Sequence, residues 1–317
     1  MEATYDSDAD HVVVRNDARQ QLYDASGYGE PLDGDAVSLT PVEAAYLLRK
    51  GKLDDVDGDG YSTFVRRAVD EEAVLRVYAD LRDRGYYLSH DDELYLHARG
   101  DPPANTSPET RVEALDEDAL VTIGTLPSLF AVADDDGDVT YFSVEREVLD
   151  GGFPSLEKDV SVKAELRGRR TEVVSDGNAL KEARYGSSEG DEEGTLMLSP
   201  VETAYLASRG ILDVPEPGAD VDRRRLSVYA DLRERGVCPR TGFKFGADFR
   251  VYETPEDDHA GFLVSSLESG ACTSVVEVSR SVRLAHGVRK RMVFALVDRE
   301  DGGDDTVEYI AVERERP

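Results

Sequence analysis

Apolar residues recur at helical spacing in two pairs of similar segments. Segments 40–47 (TPVEAAYL) and 199–206 (SPVETAYL) each open with a hydroxyl residue, then proline, then glutamate three positions after the hydroxyl. This order is typical of a capping box with proline in the first turn. Segments 77–82 and 228–233 share the sequence VYADLR, and a glycine follows every one of the four segments. The pattern therefore predicts two helices in each half of the chain.

A different pattern, typical of strands, follows the helices in each half. Residues 130–147 and 294–315 each read as an apolar strand, an acidic turn with glycine, and a second strand of alternating character. In the second half, residues 262–267 and 274–278 predict further strands, and residues 282–288 predict a short helix.

Because the same elements recur in the same order, the chain consists of two tandem repeats. The predicted fold is α/β (α+β), and each repeat has a small N-terminal subdomain of helices and strands and a C-terminal subdomain built on a mixed sheet. The expected subdomains cover residues 1–75, 76–150, 151–225 and 226–317. The repeats meet at a predicted linker around 150–154 (DGGFP).

Composition adds a strongly acidic surface. The 317 residues include 67 Asp and Glu against 37 Lys and Arg, a net charge of −30, while 40% of residues are hydrophobic and supply real cores. Multimolar salt shortens the Debye length to about 3 Å or below, so this charge predicts adaptation to a high-salt cytoplasm. No apolar run is long enough for a membrane span, and no secretory leader or cysteine framework is visible, so we expect a cytoplasmic protein without membrane contact.

The two repeats differ in residues suited to proton transfer. Tyr252, His259 and Lys290 lie in the second repeat; counting from the neighbouring elements places Tyr252 against Gly100 and Lys290 against Leu126, and no histidine lies between those two positions. Imidazole moves protons near neutral pH, lysine stays cationic, and tyrosine serves as a base where cations lower its pKa. Taken singly, each residue is more commonly a strand aromatic, a loop residue or a solvated cation.

Together, three motifs carry a family resemblance. Segments 248–252 (DFRVY), 259–264 (HAGFLV) and 283–290 (RLAHGVRK) closely resemble the archaeal tRNA-splicing endonucleases of the tandem-repeat, homodimeric type. The resemblance implies nuclease-like C-terminal subdomains, catalytic in residues 226–317 and inactive in residues 76–150. It implies cleavage of precursor tRNA at the bulge–helix–bulge of exon–intron junctions, leaving 2′,3′-cyclic phosphate and 5′-hydroxyl ends. Tyr252 would be the base, His259 the acid and Lys290 the group that stabilises the phosphorane, without metal or cofactor.

The resemblance also implies how RNA and a second chain are bound. Two arginines from the active repeats grip a bulge nucleotide; Arg283 matches the first, and Arg314 is chosen over Arg316 for the second. Two chains would supply two active sites as a homodimer. An acidic loop of the inactive repeat, matched by Asp134, Asp135, Asp136 and Asp138, would dock into the active repeat of the other chain.

Several alternatives remain open. The chain could be a noncatalytic structural or RNA-binding subunit of a splicing endonuclease. His286 rivals His259 as the acid. Residues 55–60 (DVDGDG) imitate the start of a calcium loop, but Arg66 occupies the twelfth position, where such a loop needs a bidentate glutamate, so we expect no metal there.

Overall fold

The computed structural model describes residues 1–98, 100, 110–156, 160–189, 195–214, 220–299 and 305–317. Over these ranges no helix has both the length and the apolar character needed to cross a bilayer. The structure has the predicted mixed α/β architecture of two tandem repeats, each with a small N-terminal layer and strands of a larger mixed sheet.

The first repeat starts with a small sheet and three helices, followed by the strands of its C-terminal half. The elements are β1 (Glu2–Asp6), β2 (His11–Arg15), a π-helical segment (Arg19–Asp24), β3 (Glu30–Pro31), β4 (Val37–Leu39), α1 (Pro41–Arg49), α2 (Tyr61–Ala68), α3 (Glu72–Asp83), β5 (Leu88–His90), β6 (Leu94–Leu96), β7 (Thr110–Asp116), β8 (Leu120–Thr122), a 3-10 turn (Ile123–Thr125), β9 (Leu129–Ala133) and β10 (Val139–Arg146). The small sheet has the order β1-β2-β4-β3.

The second repeat follows the same plan with additional elements. They are β11 (Val162–Arg167), β12 (Arg170–Val173), α4 (Asn178–Glu182), β13 (Ser187–Glu189), β14 (Thr195–Leu198), α5 (Pro200–Ser208), β15 (Leu212–Asp213), α6 (Arg223–Glu234), β16 (Cys238–Thr241), a 3-10 turn (Phe243–Phe245), β17 (Phe249–Tyr252), β18 (Phe262–Glu268), β19 (Cys272–Ser274), α7 (Val275–Gly287), β20 (Arg291–Asp298) and β21 (Thr306–Glu315). Its small sheet has the order β13-β14-β12-β11-β15.

Helices α1 and α5 begin with the capping boxes that the sequence predicts. At α1, Thr40 accepts a hydrogen bond from the Glu43 amide at 3.3 Å, and the Glu43 carboxylate accepts one from the Thr40 amide at 3.1 Å. Ser199 and Glu202 form the same reciprocal pair at α5. Each box satisfies amides that an uncapped helix start would leave without partners.

The two C-terminal halves join in one ten-stranded sheet. Its order, β16-β17-β18-β20-β21-β10-β9-β7-β6-β5, runs through equivalent strands in opposite directions from the centre. The strands β18 and β20 pair in parallel, as do β7 and β9, and the remaining neighbours are antiparallel. The repeats are therefore related by a pseudo-twofold axis through the middle of the sheet.

That axis passes between β10 and β21. Val144 pairs with Val312, and the ladder extends from Tyr141 opposite Glu315 to Arg146 opposite Ile310. The tetrapeptide VERE occurs at 144–147, where β10 ends, and at 312–315 in β21. Val144 and Val312 are therefore equivalent residues, and they face each other at the axis.

Each face of the sheet has its own core. On one face, α3 and α6 pack with the N-terminal subdomains in two separate clusters, one for each repeat. On the other face a single cluster spans both repeats, and α7 contributes its apolar stripe to it: Val275, Val278, Val282 and Ala285. One helix of the second repeat thus covers strands of both repeats.

The start of α7 differs from the prediction. Residues 274–278 were expected to form a strand because valine is common there, and residues 282–288 a separate short helix. Instead the Ser274 hydroxyl accepts a hydrogen bond from the Val276 amide at 3.2 Å, and a continuous helix begins at Val275. Spacing of three to four residues in the buried stripe outweighed the strand preference of β-branched side chains.

Helices α3 and α6 run across the expected borders at 75/76 and 225/226, so each links the two subdomains of its repeat. The first repeat has only the 3-10 turn at Ile123–Thr125 between β8 and β9, where the second repeat has α7. Among the residues that the structure describes, a helix on this face therefore belongs to the second repeat alone.

Candidate active site

The three strands β17, β18 and β20 bring two of the predicted residues to one end of the sheet. Phe262 pairs with Val251 on one side and with Arg291 on the other. Between these rows, the Gly261 amide donates to the Val251 carbonyl at 3.1 Å, and its carbonyl accepts from the Arg291 amide at 3.0 Å. Tyr252, which follows Val251, and Lys290, which precedes Arg291, therefore flank the start of β18.

Side-chain alternation puts these residues on the same face. Lys290 lies two residues before Met292, and Arg314 two residues after Val312; Met292 and Val312 pair with each other and pack in the cluster beneath α7. Tyr252 lies two residues after Arg250, which pairs with Leu263 of the same cluster. Since residues two apart in a strand share a face, Tyr252, Lys290 and Arg314 belong to the face that α7 covers.

Lys290 is held by a short contact with the main chain. Its Nζ donates a hydrogen bond to the Ala260 carbonyl at 2.5 Å, and Ala260 is the residue after His259. Partial burial lowers the pKa of Lys290 from its usual 10.5, and the nearby Arg250 guanidinium lowers that pKa further. Both effects disfavour the charged ammonium, which therefore gains from an anionic partner.

Helix α7 ends at Gly287, three residues before Lys290, and its last turn is closed by two main-chain hydrogen bonds. The Arg289 amide bonds to the His286 carbonyl at 3.0 Å, and the Lys290 amide bonds to the Ala285 carbonyl at 2.9 Å. This is a Schellman arrangement, in which the left-handed position is normally glycine. Here Arg289 occupies that position with φ 57°. A bulky residue in this conformation costs on the order of 1 kcal/mol, so a strained arginine directly precedes the candidate catalytic lysine.

Arg250 is a site residue that the sequence analysis missed. Its guanidinium carbon lies 5.8 Å from the centre of the Tyr252 ring. Its Nε is buried and makes no hydrogen bond with any residue in the described ranges. The signal was present in the sequence, because an arginine two positions before Tyr252 in a strand must share its face.

His259 lies in the loop between β17 and β18 and is exposed. The Asp257 carboxylate braces this loop by accepting hydrogen bonds from the amides of Glu253 at 3.1 Å and Thr254 at 2.8 Å. These bonds, led by that from Thr254, lower the pKa of Asp257. His259 is two residues from Gly261, and its ring makes no hydrogen bond within the described part of the chain.

His286 lines an open cleft of about 630 Å³ together with Lys290. Its other lining residues are Gly261, Gly287, Arg289, Arg291 and Glu313. Arg291 is not free there, because it pairs with the carboxylates of Glu145, Glu147 and Glu313. Because His286 shares this cleft with Lys290, it stays a rival to His259 on position alone.

The candidate RNA-binding arginines are exposed. Arg283 lies on α7, and Arg316 lies beyond the end of β21. Arg314 forms no ion pair or hydrogen bond with any described residue. Its equivalent in the first repeat, Arg146, pairs with Glu308 at 2.6 Å. By the pseudo-twofold axis the residue that would pair with Arg314 is Thr140, which leaves this guanidinium available.

The first repeat lacks the reactive residues at its equivalent edge. Leu94 pairs with Val112 as Phe249 does with Val264, and the count along these ladders places His97, not Gly100, at the position of Tyr252. The predicted alignment failed because the β5–β6 connection, residues 91–93, is shorter than the β16–β17 connection, residues 242–248. His97 is buried, with its Nε2 3.0 Å from the Ser89 hydroxyl.

Leu126 occupies the position of Lys290, as predicted. The part of the first repeat that would match His259 falls within residues 101–109, outside the described ranges. The first-repeat edge therefore has an apolar side chain in place of the lysine and a buried imidazole in place of the phenol.

The acidic loop Asp134–Asp138 is the turn between β9 and β10. The Asp134 carboxylate accepts a hydrogen bond from the Asp138 amide at 2.8 Å, and Arg76 donates to the Asp134 carbonyl at 2.8 Å. Gly137 has φ 89°, a conformation that glycine adopts without strain. Asp135, Asp136 and Asp138 are exposed, and the ladders place this turn at the same end of the sheet as Lys290.

In the segment that imitates a calcium loop, Asp57 and Asp59 both pair with Arg67, at 3.3 and 3.0 Å. Among the described residues no group of three or more His, Cys, Asp or Glu side chains is placed to hold a metal ion.

Comparison with known proteins places the chain in a family. Residues 223–309 match the family model described as tRNA intron endonuclease, catalytic C-terminal domain. Residues 3–65 and 162–227 each match the model described as tRNA intron endonuclease, N-terminal domain. The duplicated N-terminal match agrees with the internal repeat.

Relatives named tRNA-splicing endonuclease match over nearly the full length. The chain is 41% identical to one from Natronomonas pharaonis, with 96% of this chain and 97% of the relative covered. It is 39% identical to one from Haloarcula marismortui over 100% of both chains. A relative from Methanosarcina acetivorans is 30% identical, with 97% of this chain and 98% of the relative covered. The chain therefore belongs to the tRNA intron endonuclease family of RNA-cleaving enzymes, as the three C-terminal motifs indicated.

Proposed function

We propose that this protein cuts precursor tRNA at the bulge–helix–bulge of exon–intron junctions and leaves 2′,3′-cyclic phosphate and 5′-hydroxyl ends. The observation that carries the proposal is the shared edge of β17, β18 and β20, where Tyr252 and Lys290 flank Gly261 on the face that α7 covers. His259 enters the same edge from the loop before β18.

Tyr252 acts as the base toward the RNA 2′-hydroxyl. As the deprotonated oxygen of Tyr252 takes up the proton and becomes the phenol, the 2′-oxygen attacks the adjacent phosphorus. The Arg250 guanidinium carbon lies 5.8 Å from the ring centre, so a cation lies beside this base.

His259 acts as the acid. As the bond from phosphorus to the 5′-oxygen breaks, the imidazolium donates its proton to that oxygen, and the 2′,3′-cyclic phosphate remains. An exposed position in a braced loop suits this role, because the ring must reach a leaving group on a bulky substrate.

Lys290 stabilises the negative charge that builds up on the phosphorane oxygens. One of its N–H groups is engaged by the Ala260 carbonyl, so the ammonium is oriented with donors left for phosphate. Because the nucleophile comes from the RNA itself and the three side chains supply base, acid and cation, no step requires a metal ion.

Arg283 and Arg314 grip a nucleotide of the bulge. A guanidinium plane stacks on any base, so such a pair reads the shape of the RNA with little dependence on its sequence. Their exposure supports the role, as does the lack of an acidic partner for Arg314 within the described residues.

Two chains form the working enzyme. A splicing substrate needs two cuts, but one chain carries one set of Tyr252, His259 and Lys290, because the first repeat has His97 and Leu126 at two of these positions. A symmetric homodimer provides two sites. The exposed carboxylates of the β9–β10 turn dock on the active repeat of the other chain.

The test uses a bulge–helix–bulge RNA incubated with the purified protein in high salt and a chelator. We expect two cuts, with cyclic phosphate on one new end and a free hydroxyl on the other. A matched RNA with a fully paired junction should stay intact. Dependence of cleavage on a divalent ion would refute the metal-free mechanism.

The same experiment separates the enzyme from a noncatalytic subunit. If the wild-type protein binds the bulged RNA without cutting it, a structural or RNA-binding role would be favoured. The variants Tyr252→Phe and Lys290→Ala serve as controls, since each should bind the RNA and cut it far more slowly.

A further inference from the structure

The first repeat contains a cavity of about 790 Å³ between its small sheet and the β5–β6 hairpin. Its walls carry main-chain and side-chain acceptors from both sides. Glu43 and Gly29 come from the N-terminal subdomain, and Asp91 and Asp92 come from the hairpin. The cavity lies in the repeat that lacks the proposed catalytic residues.

In the second repeat an arginine occupies the equivalent space. The Arg240 guanidinium donates a hydrogen bond to the Gly186 carbonyl and lies 3.4 Å from the Glu202 Oε1 atom. Arg240 is on β16, while Gly186 and Glu202 belong to the N-terminal subdomain. The side chain therefore ties the subdomain to the sheet.

The residues that hold this guanidinium have exact counterparts around the cavity. The Gly29 amide donates to the Glu43 Oε1 atom at 3.0 Å, as the Gly186 amide donates to the Glu202 Oε1 atom at 2.9 Å. Glu43 is 3% exposed and Glu202 4% exposed. The acceptors are thus preserved in the same geometry in both repeats.

The arginine itself is replaced. Leu88 opposes Leu96 as Pro239 opposes Val251, so the next residue on each strand, Ser89 or Arg240, occupies the same position. A serine is too short to reach Glu43, and its hydroxyl instead contacts His97. The missing side chain therefore leaves open the part of the cavity beside Glu43.

Charge around the cavity favours a cation. Burial raises the pKa of Glu43, and hydrogen bonds from the amides of Gly29 and Thr40, together with the nearby Arg82 guanidinium, oppose that rise. A further cation beside this carboxyl group favours its charged form. Asp91 and Asp92 add carboxylates on the hairpin side, whereas Glu93 pairs with Arg111 at 2.9 Å; the lining histidines are His11 and His90. Burial lowers the pKa of His90, so this ring resists becoming a competing cation.

We propose that this cavity binds a small organic cation that carries a guanidinium or primary ammonium group. The cationic group binds Glu43 and the Gly29 carbonyl as Arg240 binds Glu202 and the Gly186 carbonyl in the second repeat. A linear diamine or an alkylguanidine fits, because one cationic end reaches Glu43 while the other meets the hairpin carboxylates. The bound cation joins the N-terminal subdomain to the β5–β6 hairpin, and a ligand that binds only the folded state raises its stability.

The test measures binding of agmatine and spermidine by calorimetry, and the melting temperature with each, in 2 M KCl. At this ionic strength the Debye length is about 3 Å or less, so general attraction to an acidic surface is screened and saturable binding reports local contacts. We expect one site per chain and a melting temperature that rises with ligand concentration.

Two substitutions give each repeat the residue that the other repeat has at this position. Ser89→Arg should occupy the space beside Glu43, abolish binding and raise the melting temperature without ligand, whereas Ser89→Ala should bind like wild type. Arg240→Ser should open a second cavity and raise the stoichiometry to two. Val174→Arg, an exposed position in the second repeat, makes the same charge change as Ser89→Arg and should leave binding unchanged.

The outcomes are decisive in both directions. Absence of saturable binding by either probe overturns the proposal, as does wild-type affinity in a folded Ser89→Arg variant. If Ser89→Arg does not fold, the stoichiometry of Arg240→Ser decides. RNA cleavage is measured in parallel and should be equal in wild type and Ser89→Ala, so a failed cation site leaves the proposed cleavage activity untouched.

Discussion

Lys290 donates a hydrogen bond from its Nζ to the carbonyl oxygen of Ala260 at 2.5 Å. The contact links the end of the α7–β20 connection to the loop that carries His259. It fixes the position of a cation beside that loop, and it leaves the lysine as a donor on the open side of the cleft.

Replacing Arg250 should raise the pKa of Lys290. Burial and Arg250 both lower this pKa from 10.5, so the ammonium loses its proton at a lower pH than an ordinary lysine. Arg250→Gln removes one cause, and the midpoint should shift upward. Carbon-13 NMR of labelled lysines follows this directly, since the chain has seven lysines. Arg167→Gln, at an exposed position, is the control. An unchanged or lower midpoint would contradict the electrostatic effect of Arg250 on the pKa of Lys290.

Removing the imidazole of His259 should slow cleavage and spare binding. General acid catalysis contributes about 10²–10⁴-fold, so His259→Ala should lose about that much in the single-turnover rate while its affinity for the RNA stays near that of wild type. His286→Ala should lose less than about tenfold. If the two variants behave the other way round, the acid is His286.

Arg314→Ala should weaken binding of the bulged RNA. Stacking on a base contributes about 1–3 kcal/mol, so a loss of about 5- to 150-fold is expected in the Kd. Arg316→Ala should bind nearly as well as wild type, because its side chain lies past the strand end. Arg146→Ala is the matched control, since this equivalent arginine pairs with Glu308. A larger loss in Arg316→Ala would exchange the two assignments.

The exposed carboxylates of the β9–β10 turn should control dimerisation. The triple change of Asp135, Asp136 and Asp138 to Ser keeps Asp134, whose carboxylate holds the turn. We expect the mass in solution to fall from dimer to monomer, and cleavage to fall with it. A triple Ser variant of the exposed Asp8, Asp24 and Asp33 makes the same charge change elsewhere. Equal mass in both variants would remove the turn from the interface.

Local signals in the sequence were sufficient for the helix starts and hairpins. The capping boxes at Thr40 and Ser199 depend on residues three positions apart, so a short segment contains all the information. The strand–turn–strand units ending at Glu147 and Glu315 are equally local. The helix that begins after Ser274 was missed because its valines favour a strand until the packing partner on the sheet is known.

The pairing of strands that lie far apart in the chain could not be predicted from the sequence. The pairing of β10 with β21 joins residues far apart in the chain, and no local pattern encodes that choice. The match of Tyr252 to His97 required the true hairpin lengths. By contrast, the exchange of Arg240 for Ser89 could have been found by aligning the repeats, but its meaning depended on the contacts of Glu202.

The Val144–Val312 seam has a consequence for the half of the molecule without the proposed chemistry. If β10 were missing, β21 would present a long row of free amides and carbonyls to solvent, a template for unwanted strand addition by other molecules. The first repeat thus covers an edge of the second repeat that would otherwise be open to strand addition. The first repeat does not need reacting groups for this role, but β10 must stay able to pair with β21.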